Sequence, residues 1–117
     1  MFDVYFKIVI LSIDYNSKKI GVWLNEKKEI PYCMAFPKTF AAQIANLLKV
    51  ELGLTYDWIK PKQFITLIND DKLYISFVGM CPSETIPLKG KLYFDLDEQE
   101  FNKIDRELLQ KAKQWVS

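Results

Sequence analysis

The side chains able to do chemistry in this sequence are carboxylates, lysines, tyrosines and two cysteines, because histidine is absent. That removes Ser-His-Asp and Cys-His pairs, imidazole acid–base work and histidine-based zinc sites. Asp70 and Asp71 are adjacent acids, but they lie between two strand-like runs and read as turn formers rather than a metal pair. Glu98, Glu100, Asp105 and Glu107 crowd the start of a helical pattern, where acids favour the N-terminal turn through the helix dipole. Glu51 stands alone on its helix face. It is a candidate residual ligand contact, weighed against a solvated residue or a structural hydrogen-bond acceptor. Trp23, Tyr32, Phe36 and Trp58 are candidates to line a pocket that stacks a base, weighed against ordinary core and rim packing. Lys38, near a helix start where the dipole also favours anions, is a candidate phosphate contact. The predicted ligand-binding set is therefore Trp23, Tyr32, Phe36, Lys38, Glu51 and Trp58. No catalytic residue, metal ligand or cofactor is predicted.

At 117 residues the chain is long enough for one domain with a real core. Half of it is hydrophobic, which argues against disorder. The net charge of +1 supplies no global field toward nucleic acid or a membrane. Arg106 is the one arginine among 16 basic residues. Arginine is the better fork for phosphate, so the lysines read as a solvated surface. Basic and aromatic residues do not interleave as on single-strand binding surfaces. Cys33 and Cys81 form no CxxC and read as two buried free thiols. No basic stretch precedes an early apolar run and no run is long enough to span a bilayer, so the expectation is a cytoplasmic protein.

The elements that must position these residues follow from the pattern. Val4 to Ile13 predicts a strand covered on both faces, since apolar residues fill both alternations around Ile8 to Leu11. After the Asp14–Ser17 turn, Lys19 to Asn25 places Ile20, Val22 and Leu24 on one face and predicts a hairpin. Ile30 to Phe36 reads as extended. Thr39 is a fair N-cap for a helix carrying Phe40, Ile44, Leu47 and Leu48 on one stripe, stopped by Gly53. Tyr56 to Lys62 is a connector. Lys62 to Ile68 and Leu73 to Met80 predict a second hairpin turned by Asn69-Asp70-Asp71. Lys91 to Leu96 is a last strand. Asp97 and Glu100 resemble a capping box for a final helix whose face holds Ile104, Leu108, Leu109, Ala112, Trp115 and Val116. The order predicts an α+β fold with helices packed on a mixed sheet, residues 1–117 forming one domain.

This order, with the stretch from Phe36 to Leu54, resembles the Nudix hydrolases. Their α/β/α sandwich carries a glycine-bearing loop and then a helix of the pattern Arg-Glu, aliphatic, any residue, Glu-Glu, any residue, Gly, aliphatic. Gly53 and Leu54 resemble the terminal pair, Glu51 the second Glu of the Glu-Glu pair, and Leu48 the aliphatic residue. Val50 stands where the first of those Glu residues belongs, Asn46 replaces the Arg, and Leu47 replaces the Glu beside it. Pro37 resembles the Pro before the glycines, but Lys38 and Thr39 follow it directly, so the glycine loop is missing.

The resemblance implies a Nudix-like α/β/α fold with a degenerate signature. In intact members the helix carboxylates hold magnesium or manganese, which requires several oxygen ligands. Glu51 alone does not supply them, so the usual hydrolysis is expected to be lost. The same resemblance puts the ligand cleft between the early strands and the signature-type helix. The expected function is an inactive domain that binds a nucleotide-type small molecule or acts as a sensor. The alternative is a structural or interaction protein, a homodimer whose old cleft is filled. A third reading is a divergent metal-dependent hydrolase of nucleoside-diphosphate derivatives that pairs Glu51 with Asp57 or Glu84. Neither a nucleic acid nor a membrane partner is expected.

Overall fold

The computed structural model describes residues 3–116. Strand β1 (Asp3–Asp14) runs through the middle of a six-stranded mixed sheet ordered β4-β5-β1-β2-β6. It turns into antiparallel β2 (Lys19–Leu24), aligning Leu11 with Val22. It also pairs with the short β3 (Tyr32–Met34), aligning Lys7 with Tyr32. On its other side it lies parallel to β5 (Lys72–Met80), from Asp3 against Lys72 to Leu11 against Met80. β4 (Lys62–Asn69) closes the second hairpin onto β5. The two-residue turn between them puts Asp70 at φ 57°, a conformation Asp tolerates better than most residues.

The double apolar alternation of β1 is explained by its two coats. Phe6, Ile8 and Ile10 face α1 (Phe40–Leu47), its π-helical continuation Leu48–Leu52, and Trp23. Val9 and Leu11 face Leu108, Leu109 and Ala112 of α3 (Lys103–Val116). The result is an α/β/α sandwich. Thr39 caps α1 by accepting from Ala42 N at 3.3 Å, and Gly53 ends the π turn at φ 65°. A Cβ on Gly53 would lie 2.8 Å from both Leu88 Cβ and Lys89 N, so glycine also lets the 82–90 loop pack close.

Three expectations change. The Tyr56–Lys62 connector contains a helical turn, α2 (Tyr56–Ile59), ended by Lys60 in the left-handed region before Pro61. The last strand is only β6 (Lys91–Tyr93), because Phe94 lays its ring over Gly21 instead of continuing the ladder. Asp97 does not cap α3. It accepts from Gln99 N at 3.0 Å and caps a separate 3₁₀ turn, Glu98–Glu100. Phe101 is extended, and Asn102 takes over at α3 by accepting from Asp105 N at 2.8 Å. Among the described residues, no helix is long and apolar enough to cross a membrane.

Candidate functional site

The two ends of the α1 segment are fixed by side-chain amides. Before the helix, Gln43 is buried beneath the chain at Phe36–Thr39. Its Nε2 donates to Phe36 O (2.8 Å) and Lys38 O (2.9 Å), and its Oε1 accepts from Phe36 N (2.8 Å). The loop that lacks glycines is thus closed on itself. Phe36 and Lys38 project from it as exposed side chains and line none of the cavities described below. After the helix, Asn25 organises the β2–β3 loop. Its Oδ1 accepts from Lys27 N (3.0 Å) and Glu29 N (2.9 Å), and its Nδ2 donates to Glu51 Oε1 (3.3 Å).

Glu51 therefore lies at a cavity of about 460 Å³ lined by Asn25, Glu26, Lys27, Glu29, Tyr32, Val50 and Lys89. Its carboxylate also raises the pKa of the Cys33 thiol behind it, although burial is the larger cause. The Cys81 thiol is likewise pushed up by burial, with Glu84 adding to it and a hydrogen bond to Thr85 opposing it. Both cysteines are free. Cys81 is buried and Cys33 only half-buried, a small departure from the two buried thiols expected.

A second cavity, about 300 Å³, shares Glu29 and Tyr32 with the first and lies on the α3 face of the sheet. Its lining includes Tyr5, Lys7, Lys72, Tyr74, Asn102 and Asp105. Strand register builds it. Lys7 is opposite Tyr32 on β3, and Tyr5 is beside Tyr74 on β5, with ring centroids 5.6 Å apart. Lys7 Nζ lies 5.1 Å from the Tyr32 ring centroid and 5.3 Å from that of Tyr74, within cation–π range of both. It donates to Asp105 Oδ1 at 2.6 Å.

The six predicted site residues separate. Tyr32 and Glu51 come together at the first cavity, and Tyr32 borders the second as well. Trp58, 85% exposed, lines a different and largely apolar groove with Leu54, Ile59, Cys81, Pro82 and Ile86. Trp23 is only 2% exposed and packs in the core, its Nε1 donating to Ser12 Oγ at 2.8 Å, so it offers no surface to a ligand. Asp57 and Glu84 each border other cavities and do not join Glu51. Tyr5, Lys7, Lys72, Tyr74, Asn102 and Asp105 are not among the predicted site residues. Tyr5 and Lys7 do stand two apart on a predicted strand, and so share a face. No sequence signal joins them to Tyr74 or Asp105.

No protein-family model and no curated protein matches the sequence. Solved structures do match the fold. The whole chain superposes on the whole of the C. elegans Ap4A hydrolase with a TM-score of 0.75 at 14% identity. It covers 90% of the NUDIX domain of Shewanella oneidensis NrtR, a structure complexed with ADP ribose, with a TM-score of 0.68 at 10% identity. This chain has a Nudix-like fold. A third match is T. brucei MERS1 in its RNA complex, with a TM-score of 0.63 and 16% identity over 94% of this chain. The Nudix-like chain spans 48% of that protein, and 43% of a matching MutT/nudix family protein from Enterococcus faecalis.

In this Nudix-like frame, α1 and its π turn carry the stretch that resembles the signature. Leu47 is buried in the core, and Val50 stands half-exposed at the lip of the Glu51 cavity. Glu26 and Glu29 border that cavity too. Among the described residues, however, no three carboxylate or thiol side chains come close enough to hold one ion. The donor set does not fit the magnesium or manganese that the resemblance implies.

Proposed function

We propose that this domain binds a nucleotide-type small molecule, as a binding module or sensor, without hydrolysing it. The tyrosine-lined cavity around Lys7, which shares Tyr32 and Glu29 with the lining of the Glu51 cavity, is the observation that carries this reading. Aromatic faces stack any base, and tyrosine adds a polar tip that can reach ribose or base edges. Lys72 at one cavity, and Lys27 and Lys89 at the other, supply cations for phosphate. A volume near 300 Å³ suits one ring system.

The likeness to Ap4A hydrolase and to an ADP ribose-bound NUDIX domain supports a nucleotide derivative as the ligand. The MERS1–RNA complex raises RNA as a rival, but the net charge of +1 gives little long-range pull on a polyanion. Loss of hydrolysis follows from the donors. Leu47 and Val50 put hydrocarbon where the resemblance expects metal-binding carboxylates, and Glu51 is engaged by Asn25. The Phe36 amide donates to Gln43 Oε1, the Lys38 amide donates to Phe36 O and Pro37 has none, so these positions offer no free amides for a phosphate cradle. The open cavities lend no support to a homodimer with a filled cleft. A cytoplasmic location belongs to the same proposal.

A thermal-shift panel of nucleotides, dinucleotides and ADP ribose, each with EDTA or with magnesium, tests the reading. A ligand at 100 times its dissociation constant adds about 2.7 kcal/mol, on the order of 10 °C for a domain this size. The expected result is a shift that survives EDTA. A shift that appears only with magnesium overturns the metal-free reading, and a flat panel overturns nucleotide binding.

A further inference from the structure

Strand β4 ends the sheet, and its outer edge has no strand beside it among the described residues. Ile65 fixes which backbone groups that edge presents. Its N–H donates to Ser76 Oγ at 3.1 Å and its C=O accepts from the same hydroxyl at 2.6 Å, so residue 65 faces β5. Backbone groups alternate in direction along an antiparallel strand. Those of Leu67 and Asn69 therefore also face β5, and those of Thr66 and Ile68 point outward. Both residues are exposed, and Ile68 is an apolar side chain 61% open to solvent. Sheet edges are commonly blunted by lysine, proline or a bulge. Here the bulge falls at residues 64–65 and the lysine at 62, so the regular run from Thr66 to Asn69 is left clear. Charge is segregated along the edge, with exposed Lys62 at its start and exposed Asp70 and Asp71 in the turn at its end.

We propose that β4 is a self-association edge, pairing antiparallel with β4 of a second copy about a two-fold axis at Leu67. A strand with a cation at one end and two acids at the other complements itself only when reversed, since a parallel partner sets like charge against like. Centred on Leu67, Thr66 exchanges backbone hydrogen bonds with the second copy's Ile68, and Ile68 with its Thr66. Every outward backbone group of both residues is then satisfied, and the Ile68 side chain is covered. The bulge sets the ends in register. Residues 64 and 65 together take the one position opposite Ser76, which brings Lys62 level with the second copy's Asp71. No residue of β4 lines the Lys7 or the Glu51 cavity, so the pairing leaves both open and is independent of ligand binding.

Sedimentation equilibrium of the full chain at concentrations up to about 1 mM tests this. The mass is expected to rise with concentration from 13.8 kDa toward twice that value. Ile68→Lys, Lys62→Glu and Asp71→Lys change exposed side chains, and circular dichroism checks that each variant folds. Each alone is expected to weaken association by about tenfold or more. An equimolar mixture of Lys62→Glu and Asp71→Lys is expected to associate again, because every end of the mixed pair then joins opposite charges. Hydrogen exchange of the unmodified chain needs no variant: the Thr66 and Ile68 amides are expected to slow as concentration rises. A monomer at every concentration overturns the proposal and leaves the edge to some other strand. A dimer in which those two amides exchange as fast as in the monomer, or a charge-swapped mixture that does not associate, overturns it as well.

Discussion

Lys7 Nζ and Asp105 Oδ1 meet at 2.6 Å across 98 positions of sequence, tying the middle strand to the first turn of the last helix. The pair is almost wholly buried, so each charge has the other as its close counter-charge. Removing one partner of such a pair strands the other and costs roughly 3–5 kcal/mol, whereas replacing both with apolar groups is often neutral. Lys7→Met is therefore expected to lower the urea midpoint sharply. Adding Asp105→Leu is expected to restore most of the loss. Equal destabilisation in the single and double variants would show that the pair contributes through packing alone.

Leu47 and Val50 occupy positions where the resemblance expects carboxylates, yet their surroundings differ. Leu47 is 4% exposed in the α1-side core, and Val50 is 48% exposed at the cavity lip. Leu47→Ala should cost about 2–5 kcal/mol. Val50→Glu should change stability by no more than about 0.5 kcal/mol. Chemical denaturation of both variants checks the contrast. Leu47→Ala with wild-type stability would place that side chain outside the core.

Gly53 combines a positive φ of 65° with close contact to the 82–90 loop. Alanine there is strained and also pushes on Leu88 and Lys89, so Gly53→Ala should cost more than about 1 kcal/mol. Faster hydrogen exchange is expected in the 82–90 loop, which borders the Glu51 cavity through Lys89. Unchanged exchange there would mean that the loop is held by its other contacts.

Cys33 reports on Glu51. Burial raises its thiol pKa and the Glu51 carboxylate raises it further. A thiol pKa higher in the folded state stabilises the protein below the unfolded thiol's pKa. That contribution is lost as pH climbs through the folded value, so the effect is confined to alkaline pH. Alkylation of Cys33 should accordingly begin at higher pH than for a free thiol. Glu51→Gln should move the onset downward by removing the second cause. An onset that does not move would place Glu51 too far from Cys33 to act on it.

Local chemistry made most of the fold legible. The two-sided apolar run of β1, the Thr39 cap, the Gly53 stop and the Asn69–Asp71 turn each express a preference within a few residues, and each lies where the pattern puts it. Asp97 deceived because Asp followed by Glu three residues on fits a capping box. The chain instead spends that cap on a 3₁₀ turn and starts α3 at Asn102. Trp23 shows the limit of residue type as evidence. Its alternation partners Val22 and Leu24 pack toward α3, which turns the indole toward the α1-side core.

The Lys7 cavity was invisible for a different reason. Tyr5 and Lys7 meet Tyr74 through the parallel β1–β5 pairing, and Asp105 through the crossover to the last helix. Parallel neighbours leave no turn signal in the sequence, so no local rule joins residues so far apart. Tyr32 and Glu51 do share a cavity, and the family resemblance had already brought their elements together.

The proposed function requires that a nucleotide-type ligand binds without metal and is left intact. The most direct measurement is isothermal titration of ADP ribose and GDP in EDTA, followed by chromatography of the recovered ligand after incubation with magnesium. Saturable one-site binding of at least one of them in EDTA is expected, weakened by Tyr74→Ala, with the ligand recovered unchanged. No heat from either ligand in EDTA, or conversion of the ligand once magnesium is added, would contradict it.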